Sequence, residues 1–124
     1  MPPAKILVVD DDEDFRDLLA EMIFRMGYEA ATARDAKTGL HLLGQEAFDA
    51  ALIDFQMPGM TGVQLLRRIK KMDDNISVII ISGLDNEQMA AEALEGGADA
   101  FIIKPVDIDI LESTLKHALD KEKT

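Results

Sequence analysis

Five side chains set the chemical question: Asp10, Asp11, Asp54, Ser82 and Lys104. They lie in the stretches "ILVVDDDEDF", "ALIDFQMPGM", "VIIISG" and "FIIKP", and in each the polar residue directly follows an apolar run. Carboxylates forced together repel one another and raise each other's pKa unless a cation neutralises them. Oxygen ligands with no His or Cys beside them select a hard ion. Mg²⁺ takes only one or two protein carboxylates and keeps water and phosphate oxygens as its other ligands. A carboxylate is also a nucleophile toward phosphorus, giving an aspartyl phosphate, when metal, ammonium and hydroxyl groups neutralise the transferring group. Every kind of group that this chemistry requires is present, provided that the fold brings them together.

The elements that must do so are legible as a rhythm. Short β-rich runs at 6–9, 50–53, 76–81 and 101–103 alternate with longer amphipathic segments, and "YEAATA" at 28–33 supplies a fifth strand whose lower hydrophobicity suits an edge. In the first amphipathic segment Phe15, Leu18, Leu19, Met22, Ile23 and Met26 recur at helical spacing, and Gly27 stops it. Leu40 and Leu43, then Val63, Leu66 and Ile69, then Ala90, Ala93 and Leu94, then Ile108, Leu111, Leu115 and Leu119 repeat the pattern. Met22, Met26, Met72 and Met89 read as fillers of core gaps. Strict alternation of strand and helix predicts an α/β fold with a doubly wound, five-stranded parallel sheet covered on both faces. Right-handed crossovers then bring the carboxyl ends of all strands to one edge, where open sheets of this kind place their sites. The five side chains follow the first, third, fourth and fifth strands, so they converge there.

Composition narrows the class. At 124 residues the chain suits one ordinary core and one domain. It has no cysteine, which excludes a disulfide framework and thiolate metal sites and fits a reducing compartment. No apolar run approaches the roughly 20 residues that cross a bilayer, and the first residues lack the features of a signal peptide. A cytoplasmic location is therefore expected. Acidic residues outnumber basic ones 24 to 13, and a formal charge of −11 repels nucleic-acid phosphates and anionic lipid.

Taken together, "ILVVDDDEDFRDLL", "ALIDFQMPGMTG", "VIIISG" and "GADAFIIKP" resemble the four signature segments of the receiver domains of two-component response regulators, over about residues 4–120. The resemblance implies a flavodoxin-like fold with strand order 2-1-3-4-5. It implies Asp54 as phosphoacceptor, Asp11 as a direct Mg²⁺ ligand and Asp10 as a ligand through water, with the backbone carbonyl of Gln56 and an oxygen of Asp54 completing the protein's share. Mn²⁺ is the expected substitute ion. Ser82 would hydrogen-bond the phosphoryl group, Lys104 would pair with it, and the peptide bond between Lys104 and Pro105 would be cis, an isomer that is cheap only before proline. Phe101 stands at the aromatic switch position, and Gln56 and Leu84 at two positions that tune phosphate lifetime. Partners implied are a sensor histidine kinase or histidine phosphotransfer protein upstream, and an output domain or protein on the face formed by residues 84–119. A phosphorylation-dependent homodimer is also implied. The chain is then either a stand-alone receiver or the receiver of a longer regulator. In neither case would it be an enzyme with a separate substrate.

Simpler roles compete for several residues. Asp12, Glu13 and Asp14 suit helix N-terminal charges. His41 and His117 are single and suit the surface, and "RRIKK" at 67–71 suits a solvated face. The rival functions fit less well. A haloacid-dehalogenase-type Mg²⁺ phosphatase acting on a diffusible substrate would want Asp-x-Asp-x-Thr/Val, and Asp14 fills the last place. A calcium loop on Asp10, Asp12, Asp14 and Glu21 meets Phe15 where glycine is required. A flavodoxin-type carrier needs hydroxyls where this chain has acids.

Overall fold

The computed structural model describes residues 3–83 and 87–122. Ten elements alternate along the chain: β1 (Lys5–Val9), α1 (Glu13–Arg25), β2 (Glu29–Ala33), α2 (Ala36–Gln45), β3 (Ala50–Asp54), α3 (Gly62–Met72), β4 (Ser77–Ser82), α4 (Glu87–Glu95), β5 (Ala100–Ile103) and α5 (Ile108–Glu122). The strands form one parallel sheet in the order β2-β1-β3-β4-β5. This is the doubly wound arrangement that the alternating pattern predicts.

Side-chain alternation along each strand divides the core in two. Ile6, Val8, Leu52, Ile79 and Ile81 face α1 and α5, where Leu19, Ile23, Leu111 and Leu115 cover them. Leu7, Val9, Ile53, Val78 and Ile80 face the other way, against Leu65, Leu66 and Ile69 of α3 and Ala93 of α4. Both faces are dry, so the central strands are continuously apolar. β2 pairs only with β1 and is mostly exposed, as its weak hydrophobicity predicts.

Some expectations change. β3 runs through Asp54 and β4 through Ser82, because Asp54 pairs in register with Ile81 and Ser82 with Ile103. These two polar residues are therefore the last of their strands rather than the first of the loops. Leu18, Leu94, Ile108 and Met72 share the helical spacing yet lie exposed. Leu18 and Leu94 stand one residue off the buried lines through Leu19 and Ala93, while Met72 and Ile108 are the last and first residues of their helices, past the sheet. Met22, Met26 and Met89 do pack against the core.

Arg67, Arg68 and Lys71 are solvated as expected, but Lys70 is not. Its stem lies along the protein and its Nζ donates to the carbonyl of Ile76 at 2.6 Å. It also lies 3.4 Å from Asp99 Oδ2, which accepts from the Val78 amide. This staple joins α3 to the beginnings of β4 and β5, at the edge opposite the polar strand ends.

Candidate functional site

The site is built by backbone register. The Asp10 amide donates to the carbonyl of Ala33, the Phe55 amide to Ile81 and the Lys104 amide to Ser82, the last at 2.7 Å. Strand pairing thus continues to the residue that carries each polar group, and Asp10, Asp54, Ser82 and Lys104 arrive at one edge of the sheet. Asp11 joins them at the rim. The cleft at this edge, about 720 Å³, is lined by Asp11, Asp54 and Lys104 together with Gln56, Met57, Thr61 and Gly83.

Asp10, Asp11 and Asp54 each offer a carboxylate oxygen within 4.8 Å of the others, the one such acidic trio among the described residues. Asp10 and Asp54 are buried and Asp11 is exposed. Asp10 Oδ1 accepts the Asp12 amide at 2.9 Å. Its Oδ2 is the one buried side-chain atom among the described residues with no hydrogen-bond partner, and the Lys104 ammonium stands 3.6 Å away. Asp54 Oδ1 accepts the Gln56 amide at 3.3 Å and lies 3.8 Å from the same ammonium. Lys104 therefore pairs with both acids without a short hydrogen bond to either.

The electrostatics follow from this crowding. Burial, then the Asp10 charge, push the Asp54 carboxyl up to about 6, against the pull of Lys104 and the Gln56 amide. Burial also raises Asp10, with Asp11 adding to it, while the Asp12 amide and Lys104 oppose the rise. Three carboxylates face one ammonium, a deficit of two charges, which is the charge of one divalent cation. The orphaned Asp10 oxygen and the all-oxygen donor set fit a hard ion of the Mg²⁺ class.

Ser82 is buried at the end of β4. Phe101 is half-buried on β5 and packs on the α3 side of the sheet. The Lys104–Pro105 peptide bond is cis. Gln56 is exposed at the cleft, and Leu84 lies outside the described residues. Asp12 is the N-cap of α1, accepting the Asp14 and Phe15 amides, and His41 and His117 are exposed.

Four residues escaped the sequence reading. Arg16 donates to the carbonyl of Asp10 at 2.8 Å, tying α1 to the end of β1. Thr61 caps α3 in a reciprocal box with Gln64, and the Thr-x-x-Gln spacing was a usable signal. Phe15, assigned to the apolar stripe, also stacks on Lys104. Gly62 lets α3 approach the backbone of Asp54: a Cβ there would stand 2.6 Å from the carbonyl oxygen of Asp54 and 2.9 Å from Phe55 Cα. Gly62→Ala is accordingly expected to destabilise the fold by about 1–3 kcal/mol, because only backbone is available to move. Urea denaturation checks this, and an undiminished midpoint would show that the loop yields freely.

Comparison with known proteins agrees with this geometry. The family model for the response regulator receiver domain matches residues 6–116. Sporulation initiation phosphotransferase F of Bacillus subtilis is 37% identical over 115 residues, covering 93% of either chain. The transcriptional regulatory protein ZraR of Escherichia coli is 37% identical over 114 residues, and there the chain spans only 26% of the relative's length. A CheY-like receiver domain protein from Methanospirillum hungatei superposes with a TM-score of 0.93 at 33% identity, covering 98% of this chain and 97% of that one. NtrX from Brucella abortus superposes at 0.92 and 38% identity over 97% of this chain and 28% of its own. Matched in sequence over most of its length and in structure over nearly all of it, the chain belongs to the response regulator receiver domains, the phosphorylation-controlled switches of two-component systems.

Proposed function

We propose that Asp54 accepts a phosphoryl group from a phosphohistidine of a sensor histidine kinase or histidine phosphotransfer protein. A carboxylate oxygen of Asp54 forms the bond to phosphorus as the bond from phosphorus to the imidazole nitrogen breaks. The observation that carries this reading is the crowding of Asp54 against Asp10 and Asp11, with the Lys104 ammonium held between two of these acids. Asp10, Asp11, Asp54 and the backbone carbonyl of Gln56 would hold Mg²⁺, or Mn²⁺ in its place, which supplies positive charge against the phosphoryl oxygens. Lys104 pairs with one of those oxygens and the Ser82 hydroxyl donates to another. The chain assists its own modification and reset and turns over no separate substrate.

The charge added at Asp54, about −1.5 to −2, then has to be felt at a surface. Ser82 and Lys104 end β4 and β5, so motion of either toward the phosphoryl group carries its loop, and Phe101 turns inward behind Ser82. A nearly complete switch needs about 5.5 kcal/mol of differential stabilisation, within reach of several charge-assisted hydrogen bonds and a buried ring. Exposed Leu94, Ile103 and Ile110 on the 84–119 face support its use by an output domain or protein, or by a second phosphorylated copy. Ser82→Ala should still be phosphorylated, with a much smaller response of amide resonances in 87–119. A full response would route the signal elsewhere.

The sheet and both helical layers support one domain over 1–124, and no helix among the described residues is long and apolar enough to cross a membrane. With the charge of −11, this supports a cytoplasmic protein that contacts neither membrane nor nucleic acid itself. The deciding experiment is incubation with Mg²⁺ and acetyl phosphate. One base-labile phosphoryl group per chain is expected. Continuous hydrolysis of an added phosphate ester, without a stable adduct, would instead favour a Mg²⁺-dependent phosphatase.

A further inference from the structure

Among the described residues the Lys104 ammonium has two acidic partners, both within ion-pair reach but beyond hydrogen-bond distance, Asp10 Oδ2 at 3.6 Å and Asp54 Oδ1 at 3.8 Å, and one aromatic partner. The aromatic partner is the face of Phe15, whose ring centroid lies 4.2 Å from Nζ. Both ends of this arrangement are anchored. Lys104 is held at its backbone by Ser82, and Phe15 sits in the first turn of α1, where its amide donates to the capping carboxylate of Asp12. An ammonium on a flexible stem beside two carboxylates closes to hydrogen-bond distance, about 2.7–2.9 Å, unless something else attracts it. A ring face is such an attraction, and it strengthens where water is partly excluded. The Lys104 side chain is 27% exposed, so the competition takes place in such a setting.

We propose that Phe15 is a positioning residue for Lys104: its ring draws the ammonium off the acidic cluster in the resting state, so that the carboxylate oxygens stay open to a divalent cation. The ammonium remains poised at the cleft for an incoming anionic group. If the ring is lost, the pull of Asp10 and Asp54 is unopposed. Lys104 then closes on them and competes with Mg²⁺ for the same oxygens. The part that concerns Mg²⁺ rests on the metal reading above, whereas the ring contact itself does not.

The rival role for Phe15 is plain packing, since it also touches the α1–α5 side of the core. A double-mutant cycle read by Mg²⁺ affinity separates the two. Phe15→Leu should weaken Mg²⁺ binding roughly three- to tenfold, and the same change in a Lys104→Gln background should leave it unaltered. Phe15→Tyr, which keeps the ring face, should bind as wild type does. Independently, the Lys104 ε-methylene protons of the metal-free wild type should resonate upfield through the ring current and return to ordinary positions in Phe15→Leu. Equal weakening in both Lys104 backgrounds, an unshifted wild-type resonance, or unchanged affinity in Phe15→Leu would each overturn the proposal. A wild-type protein that binds no Mg²⁺ would overturn the metal reading and the competition with it, leaving the ring-current shift to judge the contact alone.

Discussion

Asp54→Asn is expected to take up no phosphoryl group from acetyl phosphate and, without divalent cations, to be more stable than wild type at pH 7.5. The first effect follows from chemistry, since an amide lacks the anionic oxygen that attacks phosphorus. The second follows from proton linkage. The folded Asp54 carboxyl titrates at about 6 against 3.8 ordinarily, so the native state holds this proton more tightly than the unfolded chain does. Well below pH 3.8 both states are protonated and the site costs nothing. As pH rises through 3.8 and on past 6 the unfolded chain ionises first, and native stability falls by up to about 3 kcal/mol. Asp10, raised for the same reasons, adds a decline of the same sign. Asparagine removes the Asp54 share, so the gain should be full at pH 7.5 and much smaller at pH 4. Chelator-treated samples in urea at the two pH values would show this. A gain of equal size at both would mean that charge crowding is not its cause. Saturating Mg²⁺ should narrow the difference at pH 7.5, because an ion that binds the folded wild type more tightly than a variant with one carboxylate fewer adds more stability to the wild type.

That cost is tolerable only because the sheet beneath it is so well buried. Fully burying one aliphatic side chain contributes about 1.5–3 kcal/mol, and Ile53, Ile80 and Ile81, beside the Asp54 backbone, are each almost wholly buried. One or two of them offset the acidic cluster. This also explains why the strands and their polar ends were readable in advance. Parallel strands covered on both faces are uninterrupted apolar runs, and the residue at which such a run stops is the residue at the sheet edge. Asp10, Asp54, Ser82 and Lys104 could be found because backbone register alone places them.

What stayed hidden depends on tertiary approach. Nothing local distinguishes Leu18 from Leu19, yet one is exposed and the other buried, since the helical rotation against the sheet is settled by packing. Lys70 looked like its neighbours because its partners, Ile76 and Asp99, stand just before β4 and β5 rather than in α3. Gly62 resembled any helix-starting glycine until the Asp54 carbonyl was found against it. Phe15 satisfied the apolar pattern in full, and that pattern was silent about the cation on its ring face.

The same distinction between local and assembled roles decides Asp11. Asp11→Ala is expected to weaken Mg²⁺ binding by on the order of tenfold or more, about 1.4 kcal/mol for each factor of ten, and to slow phosphorylation in proportion. Were Asp11 merely one of the acids that favour a helix N-terminus, its removal would lower stability and leave metal affinity alone. The structure gives the capping work to Asp12, whose side chain accepts the Asp14 and Phe15 amides. Asp11 instead stands at the cleft rim, where its charge adds to the burden on both Asp10 and Asp54. Removing it should therefore leave the metal-free fold as stable as before or slightly more so. Loss of stability with Mg²⁺ affinity intact would make Asp11 a structural residue and leave the cation to Asp10 and Asp54. Loss of affinity with stability kept, measured by calorimetric titration and urea denaturation on one preparation, would place it among the ligands.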